Sequence, residues 1–130
     1  MVLLLRTRWS PGPDAGTDQP VLVTITDYTS NTHRDLPGIV RAGLRLRRAW
    51  PALDGAVGVW LWTIPRQRRA GSVAVWTGTE ALRRFVGLPD HVAIMRHYHP
   101  RGRTRSTRWE HATADPAGIW SDAHRQLRQA

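Results

Sequence analysis

Alternating apolar and polar positions predict four β-strands. In residues 21–29, Val21, Val23 and Ile25 fall on one side and Leu22 and Thr24 on the other, and most of these side chains are β-branched. The other three predicted strands are residues 55–64, 72–77 and 104–111. Residues 65–71 are mostly polar, so we expect them to connect the second and third strands as a hairpin.

Helical periodicity predicts four helices. Leu36, Ile39, Val40, Leu44 and Arg47 recur at helical spacing, and this pattern runs to residue 50 before a proline ends it. The other predicted helices are residues 79–86, 90–98 and 116–130.

The order of these elements indicates an α+β fold. Strand, helix, two strands, helix and strand follow one another as in the ferredoxin-like β-α-β-β-α-β arrangement. Right-handed crossovers then place the helices on one face of a four-stranded antiparallel sheet. Residues 1–20 are expected to be an N-terminal segment and loop, residues 21–112 the domain itself, and residues 113–130 a C-terminal helical tail.

The second predicted strand is apolar on both sides. Val57, Val59 and Leu61 share one side, and Trp60 and Trp62 share the other. An apolar sheet face requires a covering layer. We therefore expect a homodimer packed sheet to sheet, a dimeric α+β barrel. The alternative is that the C-terminal helix covers this face within one chain, and the sequence does not indicate which face the two tryptophans occupy.

Residues 76–95 resemble the dimeric α+β barrel superfamily, which includes the antibiotic biosynthesis monooxygenase group and the spheroidene monooxygenase-like proteins. Those proteins often have a Trp at the end of the third strand, an acidic-Ala-Leu helix start, an aromatic residue in mid-helix, and a His followed by apolar residues. The corresponding residues here are Trp76, Glu80-Ala81-Leu82, Phe85, His91, Ala93, Ile94 and Met95.

The resemblance implies two alternatives for a cofactor. The superfamily contains heme binders in which a helix His is the axial ligand, and His91 stands in that position. It also contains cofactor-independent members that use a pocket Asn together with a Trp. The one asparagine of this chain is Asn31, which precedes the first helix. This departure argues against a direct transfer of the cofactor-free site, and the choice between heme and no cofactor stays open.

The candidate site is a cavity between the sheet and the helices. His91 is the candidate catalytic base or heme ligand, because a neutral imidazole serves either role. Trp76 is the second candidate catalytic residue and forms a wall. The alternatives are that the tryptophans are core or interface residues and that the histidine is structural. The candidate substrate-binding residues are Tyr28, Trp60, Trp62, Phe85 and Met95.

Composition restricts the partners. The formal charge is +9, and Arg supplies all 19 basic residues. Nucleic-acid binding is therefore an alternative, but the Arg residues are scattered, and the densest run, at 101–108, lies on an expected edge strand. Cysteine is absent, which excludes thiolate metal sites. The initial apolar run is too short to span a membrane, so we expect a cytoplasmic protein.

These observations lead to one hypothesis and one alternative. We expect a monooxygenase-like biosynthetic enzyme of secondary metabolism that acts on a hydrophobic aromatic, polyketide or polyene molecule. The alternative is a non-catalytic dimeric module that binds a small ligand, or a basic protein that binds nucleic acid.

Overall fold

A computed structural model describes residues 2–129. One sheet carries helices on both faces. The strands are β1 (Leu5–Arg6), β2 (Ser10–Pro11), β3 (Val21–Ser30), β4 (Ala56–Ile64), β5 (Arg69–Trp76) and β6 (Gly102–His111). The helices are α1 (Leu36–Arg47), α2 (Thr79–Val86), α3 (Pro89–Tyr98) and α4 (Pro116–Gln129). Short 3-10 turns lie at Trp50–Ala52, Pro65–Gln67 and His99–Arg101. Ala130, the last residue of the predicted C-terminal helix, lies outside the described residues.

The topology confirms the predicted fold class. The strands are ordered β1-β4-β5-β3-β6, all antiparallel, and β2 also pairs with β4. The four long strands, β3 to β6, have the ferredoxin-like order. The hairpin connection is shorter than expected, because a 3-10 turn and Arg68 in the left-handed region at φ 57° reverse the chain at once. Pairing therefore resumes at Ile64 opposite Arg69, three residues before the predicted start.

The C-terminal helix covers the face of the sheet opposite α1, α2 and α3, which we call the α4 face. Ile119, Ala123 and Leu127 of α4 are buried in a cluster that also contains Trp60 and Trp62. The single-chain alternative for covering this face is therefore the arrangement that the structure has. Dimerisation stays a prediction.

The N-terminal segment closes the outer edge of β4. Gly55 donates its backbone N–H to Oδ2 of Asp14 at 2.8 Å. Trp9 packs on Trp60, with ring centroids 4.4 Å apart, and its ring occupies the space where a Cβ of Gly58 would stand. A shift in the β4–β5 register falls between Ala56 and Gly58. The segment predicted as a loop thus contributes two short strands to the sheet.

A buried ion pair joins three elements. Asp27 of β3 and Arg69 of β5 have side chains 9% and 8% exposed, and Arg69 Nη2 lies 2.7 Å from Asp27 Oδ2. Arg69 Nε also donates to Oδ1 at 3.1 Å, so the pair is bidentate. The same Nη2 donates to the carbonyl oxygen of Leu127 at 3.1 Å and so attaches α4 to the sheet.

Within residues 2–129 we find no helix of the length and apolarity that crossing a membrane requires.

Candidate functional site

A cavity of about 310 Å³ lies between the sheet and helices α1, α2 and α3. We call this side of the sheet the helix face. Its strands contribute Val59, Leu61 and Ala74, and α1 contributes Ile39 and Leu44. The size falls at the lower end of small-molecule sites, and mainly apolar walls with a few polar groups are typical of them.

Three aromatic rings form the end of the cavity near α2. Trp76 ends β5 and is 1% exposed. Its ring centroid lies 4.8 Å from that of Trp50 and 5.2 Å from that of Phe85. The Trp76 indole Nε1 donates to Oγ1 of Thr24 on the neighbouring strand at 3.2 Å. This hydrogen bond fixes the orientation of the indole, which lies behind Trp50 and Phe85 and has almost no surface open to the cavity.

His91 lies in the first turn of α3. Pro89 occupies the first turn of this helix, and the preceding Leu88 is extended, so the helix starts sharply. The imidazole contacts the Phe85 ring edge to face, with centroids 4.9 Å apart. Burial lowers the pKa of His91 below its usual value, and a weaker hydrogen bond with the backbone of Val86 acts in the opposite direction. The imidazole is therefore neutral at physiological pH and available to accept a proton.

Tyr28 and Met95 line the same cavity. Tyr28 is 4% exposed and donates its hydroxyl to the carbonyl oxygen of Tyr98 at 2.9 Å. Burial raises the pKa of Tyr28, and the nearby Asp35 carboxylate raises it further. The phenol is therefore neutral, and its one hydroxyl hydrogen is already donated to α3. This hydrogen bond positions α3 against β3.

Six of the seven predicted site residues line the cavity. Trp62 is one of them, and the other five lie on the helix side of the sheet. These five are Tyr28, Trp76, Phe85, His91 and Met95. Their chemical roles stay predictions, because position alone does not test them.

Trp60 and Trp62 require a correction. Their rings pack in the cluster under α4, on the opposite side of the sheet from Val59 and Leu61, because successive strand residues alternate between faces. Trp60 is absent from the cavity lining. Trp62 borders the cavity, but its ring packs in the α4-face cluster, where the Arg69 guanidinium lies 5.5 Å from it. Neither ring is placed to hold a ligand on the helix face.

Arg47 and Trp50 are among the polar lining residues that sequence reasoning missed. Arg47 ends α1 and Trp50 begins the following 3-10 turn, and both line the cavity. The signal was present, because Arg47 is the one charged residue on the apolar stripe of α1. Asn31 lies in an exposed turn after β3 and is absent from the lining, so it does not supply the pocket amide of the cofactor-independent superfamily members.

His91 fits heme as a donor. An enclosed cavity of about 150 Å³ holds a single benzene ring, and the present volume, about 310 Å³, is roughly twice that. It would enclose two or three fused rings, whereas heme, with four pyrrole rings and two propionates, would extend through the open side of the cavity. His97 is exposed, and within residues 2–129 no cluster of three His, Asp or Glu side chains is arranged to bind a metal ion.

The comparisons with known proteins support the fold. Neither a protein-family model nor a characterised protein matches the sequence. Among solved structures, LmHde, a heme-degrading enzyme from Listeria monocytogenes, is 11% identical with a TM-score of 0.64, and the alignment covers 84% of this chain and 70% of LmHde.

Two other solved structures give the same result. SnoaB, a cofactor-independent oxygenase from Streptomyces nogalater, is 15% identical with a TM-score of 0.52, over 68% of this chain and 90% of SnoaB. Protein SO0527 from Shewanella oneidensis is 12% identical with a TM-score of 0.64, over 74% of this chain and 95% of its own. At these identities the similarity shows a shared ferredoxin-like fold and no more.

Proposed function

We propose that this protein is a cofactor-independent, monooxygenase-like enzyme that oxidises a fused-ring aromatic molecule in the helix-face cavity. The observation that carries the proposal is the cavity of about 310 Å³ in which a neutral His91 contacts Phe85, whose ring in turn packs on the fixed indole of Trp76. The fold similarity to an oxygenase and to a heme-degrading enzyme supports an oxidative reaction.

The chemistry follows from a neutral base in a mainly apolar cavity. The substrate is an aromatic ketone with an acidic CH₂ group, and His91 accepts one proton from that carbon. The resulting carbanion transfers one electron to O₂, and the two radicals combine to form a C–O bond. The imidazolium returns its proton to the peroxide, whose O–O bond then breaks as the remaining C–H proton leaves. The CH₂ group becomes a carbonyl, and the second oxygen atom leaves as water.

The aromatic walls position the substrate. Offset or edge contacts with Phe85, which Trp76 supports from behind, stabilise a flat ring system.

Anthrone, a three-ring ketone with an acidic CH₂, is a suitable probe. We expect purified protein in air-saturated buffer with a metal chelator to consume O₂ in proportion to the quinone formed. His91→Gln should lower kcat about 10² to 10⁴-fold, the usual contribution of a positioned base. The matched control is His97→Gln, an exposed histidine on the same helix, which should retain full activity. Because the pKa of His91 is lowered, activity should persist below pH 6.5 and fall only as the pH decreases further.

Two results would overturn the proposal. One is full activity of His91→Gln with an unchanged urea midpoint. The other is stoichiometric uptake of hemin with a Soret band, together with O₂ consumption that requires it. Tight binding of anthrone without any O₂ consumption would instead support the non-catalytic binding module.

A further inference from the structure

Two hydroxyl groups stand side by side on the sheet wall of the cavity. Thr26 of β3 and Ser72 of β5 are directly opposite each other in the antiparallel ladder, and both line the cavity. Each lies two residues from a helix-face residue, Tyr28 and Ala74 respectively, so alternation places both side chains on the helix face. Directly opposite residues have Cβ atoms about 4.5–5.5 Å apart. One oxygen atom above the pair can therefore accept a hydrogen bond from both hydroxyls.

Both hydroxyls are open to the cavity. Thr26 and Ser72 are half-buried, and within residues 2–129 neither oxygen has a hydrogen-bond partner. Neither oxygen belongs to the buried side-chain atoms that lack both a partner and accessible surface. By contrast, Thr63 in the same lining donates its hydroxyl to the carbonyl oxygen of Arg69 at 2.8 Å. The Thr26 and Ser72 hydroxyls are therefore available to a ligand.

The surroundings of this pair are small and apolar. Ala70 and Ala74 flank Ser72 on the same side of β5, and Leu61 of β4 is its ladder partner on the other side. The small side chains of β5 leave space above the sheet, which the cavity occupies. The two hydroxyls are thus a polar spot on a mainly apolar wall, and such isolated polar groups fix the orientation of a small molecule.

We propose that Thr26 and Ser72 bind a neutral oxygen substituent of the ligand, a ketone or its phenol tautomer, so that the substrate class is a fused aromatic molecule with one such oxygen. This inference rests on the proposed ligand cavity. A hydroxyl both donates and accepts, so the pair suits either tautomer.

The placement also agrees with the proposed reaction. In anthrone the ketone and the CH₂ group lie on opposite sides of the central ring. With the ketone on the sheet wall, the CH₂ group faces the helices, where α3 carries His91. When that base accepts the proton, negative charge forms on the ketone oxygen and strengthens both hydrogen bonds.

Isothermal titration of the whole protein with 2-naphthol and 2-methylnaphthalene tests the pair. These probes share the ring system, and one carries a hydroxyl where the other carries a methyl group. We expect the wild-type protein to prefer 2-naphthol. Thr26→Val and Ser72→Ala should each weaken 2-naphthol about two- to tenfold, the equivalent of one net hydrogen bond. Neither should weaken 2-methylnaphthalene.

Thr29→Val and Ser106→Ala are the matched controls. Thr29 is on the same strand as Thr26 but outside the cavity lining, and Ser106 is the exposed β6 partner of Thr26, also outside the lining. Both controls should keep the wild-type affinity for each probe. Valine has the shape of threonine and favours strands, so we expect Thr26→Val to fold. If its urea midpoint shows otherwise, Ser72→Ala decides the question.

Turnover of anthrone separates this inference from the proposed reaction. A lower kcat or a higher KM in the double variant Thr26→Val/Ser72→Ala supports the pair, and wild-type values of both would overturn it while leaving the reaction standing. A wild-type preference for 2-methylnaphthalene, or equal loss of 2-naphthol affinity in Thr26→Val and Thr29→Val, would also overturn the pair. A preference for 2-naphthol that both cavity substitutions reduce, without O₂ consumption from anthrone, would overturn the reaction and leave the pair standing.

Discussion

Gly43 gives a quantitative test of the packing between α1 and the sheet. It lies inside α1, where a glycine costs about 1 kcal/mol relative to alanine. A Cβ at this position would stand 3.5 Å from Cδ1 and 3.9 Å from Cδ2 of Leu61, both ordinary van der Waals contacts. Each such contact adds about 0.1–0.2 kcal/mol. Gly43→Ala should therefore stabilise the protein by about 1 kcal/mol, or raise its Tm by about 4 °C for a domain of this size.

Gly38, five residues earlier in the same helix, is the matched comparison. Its added Cβ would stand 2.5 Å from the Tyr98 hydroxyl, so the same gain in helix propensity is offset by a clash. Urea unfolding followed by tryptophan fluorescence should rank Gly43→Ala above wild type and above Gly38→Ala. Equal stability of the two variants, or a loss in Gly43→Ala, would refute the described approach of α1 to β4. Gly43→Leu should in addition extend into the cavity and abolish binding of 2-methylnaphthalene.

Three further substitutions test other parts of the structure. Asp27→Asn leaves the Arg69 charge buried without compensation, so urea unfolding should show a loss of about 3–5 kcal/mol. Gly58→Ala places a methyl group where the Trp9 ring stands, so it should destabilise by about 1–3 kcal/mol and expose the N-terminal segment to limited proteolysis. The folded-state pKa of His91 is lowered, so the unfolded chain binds that proton more readily and stability falls as the pH drops below 6.5. His91→Gln should reduce this loss, measured as urea midpoints between about pH 7 and pH 5.

Periodicity was sufficient to predict the long elements. The spacing of apolar side chains identifies β3 as a strand and α1 as a helix, and this information lies in neighbouring positions of the sequence. The start of β5 was misplaced by three residues because its first residue, Arg69, is charged and resembles a turn residue. Its charge is neutralised by Asp27, which is 42 positions away in sequence, and a local pattern contains no sign of such a partner.

The candidate site was only partly readable from the sequence. His91 and Trp76 stand at a helix start and a strand end, which are positions that sequence patterns locate well. The face that Trp60 and Trp62 occupy could not be predicted, because β4 is apolar on both sides, so alternation separates the two faces without indicating which one the helices cover. That choice depends on α4, which packs against the strand from more than fifty residues away in sequence.

Because α4 covers one face of the sheet, the predicted dimer requires either displacement of α4 or a different contact surface. Packing two sheets through the α4 face would first expose Ile119 and Leu127, at about 1.5–3 kcal/mol for each side chain. A dimer that keeps α4 in place needs another surface, and one such surface is the edge strand β6, whose residues 103–108 are all exposed. Pairing two copies of β6 brings together two strands that each carry Arg103, Arg105 and Arg108, and like charges repel less as salt screens them. Sedimentation at 0.05 M and 0.5 M NaCl should therefore show association that increases with salt if β6 forms the contact. Association that weakens with salt would exclude β6 and favour an interface of opposite charges.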